Sequence, residues 1–336
     1  MTTASKPTEE VAPTVSVDES ADALLRRMEW TVLRRLDGLL QGDYRTVMRG
    51  AGLDLADLRE YQHHDDVRYI DWNVTARLQQ PHVRVFTEDR EMAAWFVLDL
   101  SASINFGSGD KRKRQIGTEF VAVLSKLLTR HGNRVGAMLF GGAGPQATSH
   151  AADVLIPPRA DRRHVLHLLH AMQKHRAVQQ LGQASHLGEW LRQAAGNLRR
   201  RSTVFVVSDF ISESPWAESL GTLAQRHDVI AVRLYDPLEH SLPDMGQLNF
   251  EDAETGEHLW IDTSDKGFRQ RFEALAVERE AGTRQAFVRA GVDTFELATH
   301  DDLLQALVRF TDLRKRRVQS HVVASDAPNA SALATA

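Results

Sequence analysis

The most informative part of the sequence is the run Ala93-Ala-Trp-Phe-Val-Leu-Asp-Leu-Ser-Ala-Ser103. Its first six residues are all apolar, which is typical of a strand buried on both faces of a parallel sheet. Asp99, Ser101 and Ser103 follow at alternating positions, so we expect them at the carboxyl edge of the sheet, where open α/β folds bind ligands. One carboxylate and two hydroxyls on the same turn can bind a hard cation. Such oxygen donors suit Mg²⁺, with Mn²⁺ and Ca²⁺ as alternatives, although the same five residues also fit an ordinary turn.

Beyond this run, apolar segments alternate with amphipathic helices. The alternation predicts an α/β fold with a mostly parallel sheet and helices on both faces. The predicted strands are 93–98, 134–140, 154–156, 203–207, 229–234 and 294–297, and the predicted helices are 108–130, 161–174, 187–198, 215–226, 268–290 and 301–314.

The chain of 336 residues divides into four expected parts. Residues 1–20 are rich in Thr, Pro, Glu and Val, and residues 316–336 in Ala, Ser, Val and Asn, so both ends are predicted to be disordered. Residues 21–90 are predicted to form a helix at 21–40 and then a compact lead-in segment with a short strand at 82–86. Residues 91–315 form the α/β domain.

Composition argues against several functions. The formal charge of -4 disfavours nucleic acid as a partner, since such binding depends on neutralising many phosphates. The chain has no cysteine, which excludes a disulfide, a thiolate nucleophile and a Cys-ligated metal. The first residues lack the apolar core of a signal peptide, and no apolar run approaches the roughly 20 residues that span a bilayer. We therefore expect a cytoplasmic protein without membrane insertion.

Two further residues are candidate ligands for the same cation. The strand at 203–207 leads to Asp209 as the strand at 93–98 leads to Asp99, and two strand-end aspartates can share an ion. Ser185 precedes the helix at 187–198, where its hydroxyl could join from a separate loop, although a plain helix N-cap explains it equally well. The predicted metal ligands are Asp99, Ser101, Ser103, Ser185 and Asp209.

These residues resemble a known kind of site. The strand-borne Asp99-x-Ser101-x-Ser103, the hydroxyl of Ser185 and the strand-end Asp209 resemble the metal-ion-dependent adhesion site of von Willebrand factor type A domains. From about residue 42 to 310 the chain is also similar to a bacterial family catalogued as domain of unknown function fifty-eight. The motifs that carry this second similarity are Arg59-Glu-Tyr61, His64-Asp65-Asp66, Arg68, Ile70-Asp-Trp72, Thr75-Ala-Arg77 and the Asp99 turn.

The resemblance implies a von Willebrand A-type domain preceded by a short family-specific segment, and a working association with MoxR-type AAA+ ATPases. Three positions depart from the family pattern. Ser185 stands where Thr is usual, His64 stands where Gly usually precedes Asp-Asp, and Ile104 replaces a frequent Met. Ser185 is therefore the weakest member of the predicted ligand set.

We expect a metal-ion-dependent protein-binding module and not an enzyme. A cation with an open coordination position can bind a carboxylate of a protein partner, and the resemblance implies that the partner is a MoxR-type ATPase or its client. The alternative is a Mg²⁺-dependent phosphohydrolase, because strand-end aspartates also hold metal in phosphoryl-transfer sites. That chemistry needs a nucleophile with an acid or base beside it. The residue two positions after Asp99 is Ser101, which is not an acid that could protonate a leaving group. A dinucleotide-binding oxidoreductase is disfavoured, since no Gly-x-Gly-x-x-Gly follows the strand at 93–98.

Three other features have competing interpretations. His164, His167 and His170 recur every third residue on a helix and could bind a transition metal, but a solvated or boundary helix face is favoured. The basic run Lys111-Arg-Lys-Arg114 is also predicted to be a solvated face, with a small anion-binding or partner patch as the alternative. Trp72 is predicted to anchor the lead-in segment to a core.

Overall fold

The structure is a computed structural model that describes residues 23, 57–61, 70, 72–85, 93–141, 154–175, 186–212, 215–251 and 258–325. Within these ranges the strands are β1 (Asp57–Glu60), β2 (His82–Val85), β3 (Ala93–Asp99), β4 (Arg134–Phe140), β5 (Val154–Arg159), β6 (Thr203–Ser208), β7 (Asp228–Tyr235), β8 (Gln247–Glu251), β9 (His258–Asp262) and β10 (Asp293–Ala298). The helices are α1 (Trp72–Leu78), α2 (Lys113–Arg130), α3 (Arg162–Lys174), α4 (Leu187–Asn197), α5 (Trp216–Arg226), α6 (Lys266–Ala290) and α7 (Leu303–Ser325). Short 3-10 helices lie at Ala102–Asn105 and Pro237–Glu239.

Six strands form one sheet in the order β10-β7-β6-β3-β4-β5. Neighbouring strands are parallel except for β5, which runs antiparallel to β4 at one edge. After β3 the chain builds outward through β4 and β5, and then returns to place β6 on the other side of β3. The strand order therefore reverses between β3 and β6, and ligands of open α/β sheets bind at such a switch point.

Apolar side chains cover both faces of this sheet. On one face Phe96 stacks on Phe205 with ring centroids 5.3 Å apart, under α2, α3 and α7. On the other face Phe140 stacks on Trp190 at 5.4 Å, under α4, α5 and α6. Burial of each such side chain stabilises the fold by roughly 1.5–3 kcal/mol. The central strands are thus fixed from both sides, and with them the loops that leave their carboxyl ends.

The predicted α/β fold with a mostly parallel sheet is confirmed, and each predicted strand of the domain is present. Strand β5 is longer than predicted and antiparallel. Helix α2 begins at Lys113 and not at 108, because the backbone N–H of Ser108 is bound by the Asp236 side chain instead of starting a helix. Helix α7 continues to Ser325, into the predicted disordered tail, since neither Gly nor Pro interrupts it.

The hairpin of β8 and β9 was not predicted from the sequence. Its strands pair antiparallel, with Gln247 opposite Asp262. Leu259 and Trp260 on β9 are exposed by 63% and 72%, so β9 lacks the alternation that identifies a half-buried strand, whereas in β8 the half-buried Leu248 and Phe250 do alternate with exposed residues.

The lead-in segment contains β1 and β2 as an antiparallel pair, with α1 between them. The prediction that Trp72 anchors this segment to a core is wrong, since Trp72 begins α1 and is 70% exposed to solvent. The helix predicted at 21–40 lies outside the described residues apart from Ala23. In the described part of the chain, no helix combines the length and apolar character needed to cross a bilayer.

Candidate metal centre

The turn after β3 brings Asp99, Ser101 and Ser103 together. Leu100 N–H donates to the carbonyl of Phe140 at 2.9 Å, which extends the pairing with β4 by one residue. Ser101 N–H then donates to Asp99 Oδ1 at 3.0 Å, and the chain turns into the 3-10 helix Ala102–Asn105. The hydroxyl oxygens of Ser101 and Ser103 lie 3.2 Å apart.

This spacing of hydroxyls fits a shared cation. Two neighbouring ligands of an octahedral Mg²⁺, each at 2.0–2.1 Å from the ion, are about 3.0 Å apart. The Ser101 and Ser103 oxygens need to move only slightly to reach that separation. Among the described residues, no group of three or more His, Asp or Glu side chains is placed to hold a metal ion. A cation at this turn therefore depends on hydroxyls as well as carboxylates.

Asp99 is a buried carboxylate, 4% exposed. Its Oδ2 accepts a hydrogen bond from the Ser208 hydroxyl at 2.7 Å, so both oxygens of Asp99 already have a donor. Burial and the neighbouring charge of Asp209 raise the pKa of Asp99 to about 6, although the hydrogen bonds from Ser101 and Ser208 act in the opposite direction. Ionised Asp99 is thus a group that gains from an added positive charge.

Asp209 lies at the same edge, directly after β6. Its Oδ1 accepts the N–H of Ile211 at 3.0 Å, and its Oδ2 accepts a hydrogen bond from Lys113 Nζ at 2.7 Å. Phe210, between Asp209 and Ile211, has φ 57°, a left-handed backbone conformation that is rare outside Gly, Asn and Asp. The chain therefore holds Asp209 in a fixed, costly turn beside Asp99.

Lys113 is the residue that sequence reasoning placed wrongly. Its side chain is 1% exposed, and Nζ contacts Glu239 Oε1 at 2.7 Å as well as Asp209. Burial lowers the pKa of Lys113, but the two carboxylates outweigh it and the pKa lies above its ordinary value. Arg114 also points inward, donating to the carbonyls of Met172 and His175. The prediction of a solvated basic face is therefore wrong for both residues.

Ser185 lies outside the described residues, so its role as third ligand or as a helix cap stays a prediction. The next residues are described: Leu187 N–H at the start of α4 donates to the hydroxyl of Ser212, at 3.3 Å. The loop after Asp209 and the start of α4 are thus adjacent.

Asp236, after β7, is a third strand-end aspartate that sequence reasoning missed. It is fully buried and accepts four hydrogen bonds, from the N–H and hydroxyl of Ser108, the hydroxyl of Thr299 and the N–H of Leu238. Burial acts to raise the pKa of Asp236, but these hydrogen bonds outweigh it and hold the pKa below its usual value. Asp236 therefore ties the loop after β3 to the ends of β7 and β10.

The three histidines of α3 do not form a cluster. His164 is buried, and its Nε2 lies 2.8 Å from the carbonyl oxygen of Val135, whereas His167 and His170 are exposed. The favoured solvated or boundary face holds for the two exposed histidines and is wrong for His164.

Gly141 gives a direct test of how closely the turn is packed. Its φ is 95°, and a Cβ there would lie 2.6 Å from the backbone nitrogen of Ser101. We expect Gly141→Ala to lower the free energy of unfolding by about 2–4 kcal/mol, from strain plus displacement of the turn. Gly132→Ala is the matched control, since Gly132 has φ 80° with nothing within 4 Å, and should cost only about 1–2 kcal/mol. Urea unfolding of both variants measures the difference, and equal costs would show that the turn has room to adjust.

The reversal of strand order at β3, with the Asp99 turn beside it, is that of a doubly wound α/β protein with a switch point at this turn. A family model described as "Protein of unknown function DUF58" matches residues 57–282, and the chain belongs to this family.

Several individual proteins are similar to this chain in sequence or in structure. An uncharacterized protein of Mycobacterium tuberculosis strain H37Rv is 35% identical over 303 residues, which cover 89% of this chain and 91% of that protein. The conserved hypothetical protein BatB from Bacteroides thetaiotaomicron is similar in structure, with a TM-score of 0.41 and 13% identity, over 67% of this chain and 99% of that one. A von Willebrand factor type A protein from Catenulispora acidiphila gives a TM-score of 0.28 and 16% identity, over 43% of this chain and 33% of that one.

Proposed function

We propose that this chain is a metal-ion-dependent protein-binding module. The observation that carries the proposal is the pair of hydroxyls, Ser101 and Ser103, 3.2 Å apart on the turn that follows the buried Asp99 at the switch point of the sheet. These three residues hold the cation, Mg²⁺ in the first place, with Asp209 beside them and Ser185 as a further ligand from the loop before α4. A bound divalent ion supplies an open, electrophilic position that a carboxylate can fill.

The protein's own residues prepare this site in advance. Asp99 is oriented by the Ser101 N–H and the Ser208 hydroxyl, so its carboxylate does not have to be ordered when the cation binds. Asp236 fixes the loop after β3 through Ser108. Ordering these groups before binding lowers the entropic cost of binding.

The proposed ligand of the site is an Asp or Glu side chain of another protein. A carboxylate is a hard oxygen donor of the kind that Mg²⁺ prefers. The family resemblance supports a MoxR-type AAA+ ATPase, or a client of such an ATPase, as that partner. The overall charge of -4 further disfavours nucleic acid in this role.

We further propose that the chain is not an enzyme. A hydrolase needs a nucleophile or general base next to the metal. Asp99 is used as the ligand of the cation, and Asp209 is paired with Lys113 and the N–H of Ile211, so neither carboxylate serves as a nucleophile or general base. Turnover of a panel of phosphate esters that is lost in Asp99→Asn would support the phosphohydrolase alternative instead.

Capture of a partner tests the proposed function. Tagged wild-type protein and the Asp99→Ala variant are incubated with native lysate, in magnesium and in chelator. The control is Gln225→Ala, which removes an exposed polar side chain at the end of α5, next to the start of β7 and so at the opposite edge of the sheet. We expect the wild type and the control to retain a partner in magnesium but not in chelator. Asp99→Ala should retain it in neither condition. Retention that is the same in magnesium and in chelator would show that docking occurs elsewhere.

A further inference from the structure

Lys113 joins three of the loops that leave the carboxyl edge of the sheet. It is the first residue of α2, and its N–H donates to the carbonyl of Phe106 in the loop after β3, at 2.9 Å. Its ammonium binds Asp209, after β6, and Glu239, after β7, both at 2.7 Å. The side chain is 1% exposed, so these carboxylates and not water satisfy its charge.

Both carboxylate oxygens of Asp209 already accept a hydrogen bond. Asp209 has one oxygen on the Ile211 N–H and the other on Lys113 Nζ. An oxygen that binds a divalent ion directly has to give up or share one of these donors. Asp99 differs, because its donors are a backbone N–H and a neutral hydroxyl, and neither repels a cation.

We infer that Lys113 is a tethered cation that competes with the divalent ion for Asp209. It holds Asp209 back from direct coordination, so that Asp99 is the one carboxylate among the described residues that binds the ion directly. The inference rests on the proposed function, since it concerns the same cation. Lys113 is thus a positioning residue of the site, buried behind the ligands.

The consequence for docking follows from charge. An ion with one direct carboxylate keeps more of its positive charge than an ion with two, and it attracts an incoming partner carboxylate more strongly. The same arrangement weakens the affinity for the ion itself, because a fixed ammonium lies behind one of its carboxylates. Lys113 therefore lowers the affinity of the site for the ion and raises the affinity of the bound ion for a partner carboxylate.

Titration with metal alone tests this inference. MgCl₂ and MnCl₂ are titrated calorimetrically into the wild type, Lys113→Met, Asp209→Asn and the double variant. We expect Lys113→Met to bind both ions about tenfold more tightly or better, since Asp209 becomes free to coordinate. We also expect Asp209→Asn to weaken binding by about ten times more in the Lys113→Met background than in the wild-type background.

Lys126→Met is the matched control. Lys126 lies on the same helix, about 20 Å further along its axis. Its substitution by Met therefore removes the same charge far from the site. The dissociation constants of Lys126→Met should equal those of the wild type. Tightening of the same size in both lysine variants would overturn the inference, because it would show an effect of net charge alone.

Loss of Lys113 also leaves Asp209 and Glu239 buried without their cation, which lowers stability in chelator. The increase in melting temperature on adding magnesium should accordingly be larger in Lys113→Met than in the wild type. Lys113→Met/Glu239→Gln removes one of these carboxylates and provides a folded variant for the same titration. If Lys113→Met and Lys113→Met/Glu239→Gln both bind the metal no more tightly than the wild type does, this inference is overturned and the proposed function stands. Absence of metal binding in the wild type and in all variants overturns both.

Discussion

Asp99→Ala is expected to abolish Mg²⁺ binding, with an affinity loss of about 100-fold or more, because it removes the carboxylate that we propose as the direct ligand of the ion. The variant should stay folded. The Ser101 N–H and the Ser208 hydroxyl lose their acceptor, which costs about 1–3 kcal/mol. Removal of a buried charge with a raised pKa offsets much of that cost.

Calorimetric titration with MgCl₂ and thermal unfolding measure this result. At a concentration of magnesium 100 times the dissociation constant, the wild type should gain about 2.7 kcal/mol of stability, and Asp99→Ala should gain none. Asp312→Ala serves as control, since Asp312 is exposed on α7, two residues before Arg314, which pairs with Asp228 and Asp293 at the opposite edge of the sheet. Equal thermal shifts in wild type and Asp99→Ala would eliminate this site as the place where the cation binds.

The second large effect is a dependence of stability on pH in the absence of metal. The pKa of Asp99 in the folded protein is about 6, above the ordinary aspartate value of 3.8. The folded state therefore holds the Asp99 proton more tightly than the unfolded chain does. Stability falls as pH rises from about 4 to about 6, and above that range the full cost of about 3 kcal/mol is present.

Asp99→Asn isolates this contribution, because asparagine cannot ionise. In chelator, the stability of Asp99→Asn relative to the wild type should increase by about 1–2 kcal/mol between about pH 5 and pH 7.5. Urea unfolding at both pH values gives the difference, and titrating groups that do not interact with Asp99 cancel in the comparison. A difference that does not change with pH would contradict the raised pKa of Asp99.

The parts of the fold that the sequence predicted are those with a local signal. The strands at 93–98 and 203–207 are uninterrupted apolar runs, and both are buried in the centre of the sheet. Asp99 and Asp209 could be predicted at one edge because Asp99 directly follows the first of these strands and Asp209 follows the second one residue later, after Ser208. The β8–β9 hairpin had a weaker signal, since Leu248 and Phe250 alternate with polar residues in β8 but exposed Leu259 and Trp260 obscure the pattern in β9.

The charged partners of the site depend on contacts between distant parts of the chain. Lys113 meets Asp209 across 96 residues, and Ser208 meets Asp99 across 109. One signal for Lys113 was present: it stands three residues before Ile116 and seven before Phe120, in line with the buried face of α2. A lysine at an apolar position of an amphipathic helix indicates a buried ion pair, and the basic residues around it concealed that pattern.

The central claim is that a cation at the Asp99 turn is the point to which a protein partner binds. The most direct measurement is the affinity of the captured partner, once purified, for the immobilised wild-type protein in magnesium, in chelator, and in magnesium restored after chelator. We predict binding in magnesium, loss of at least about tenfold in affinity in chelator, and full recovery on restoration. Unchanged affinity through all three conditions would contradict the account.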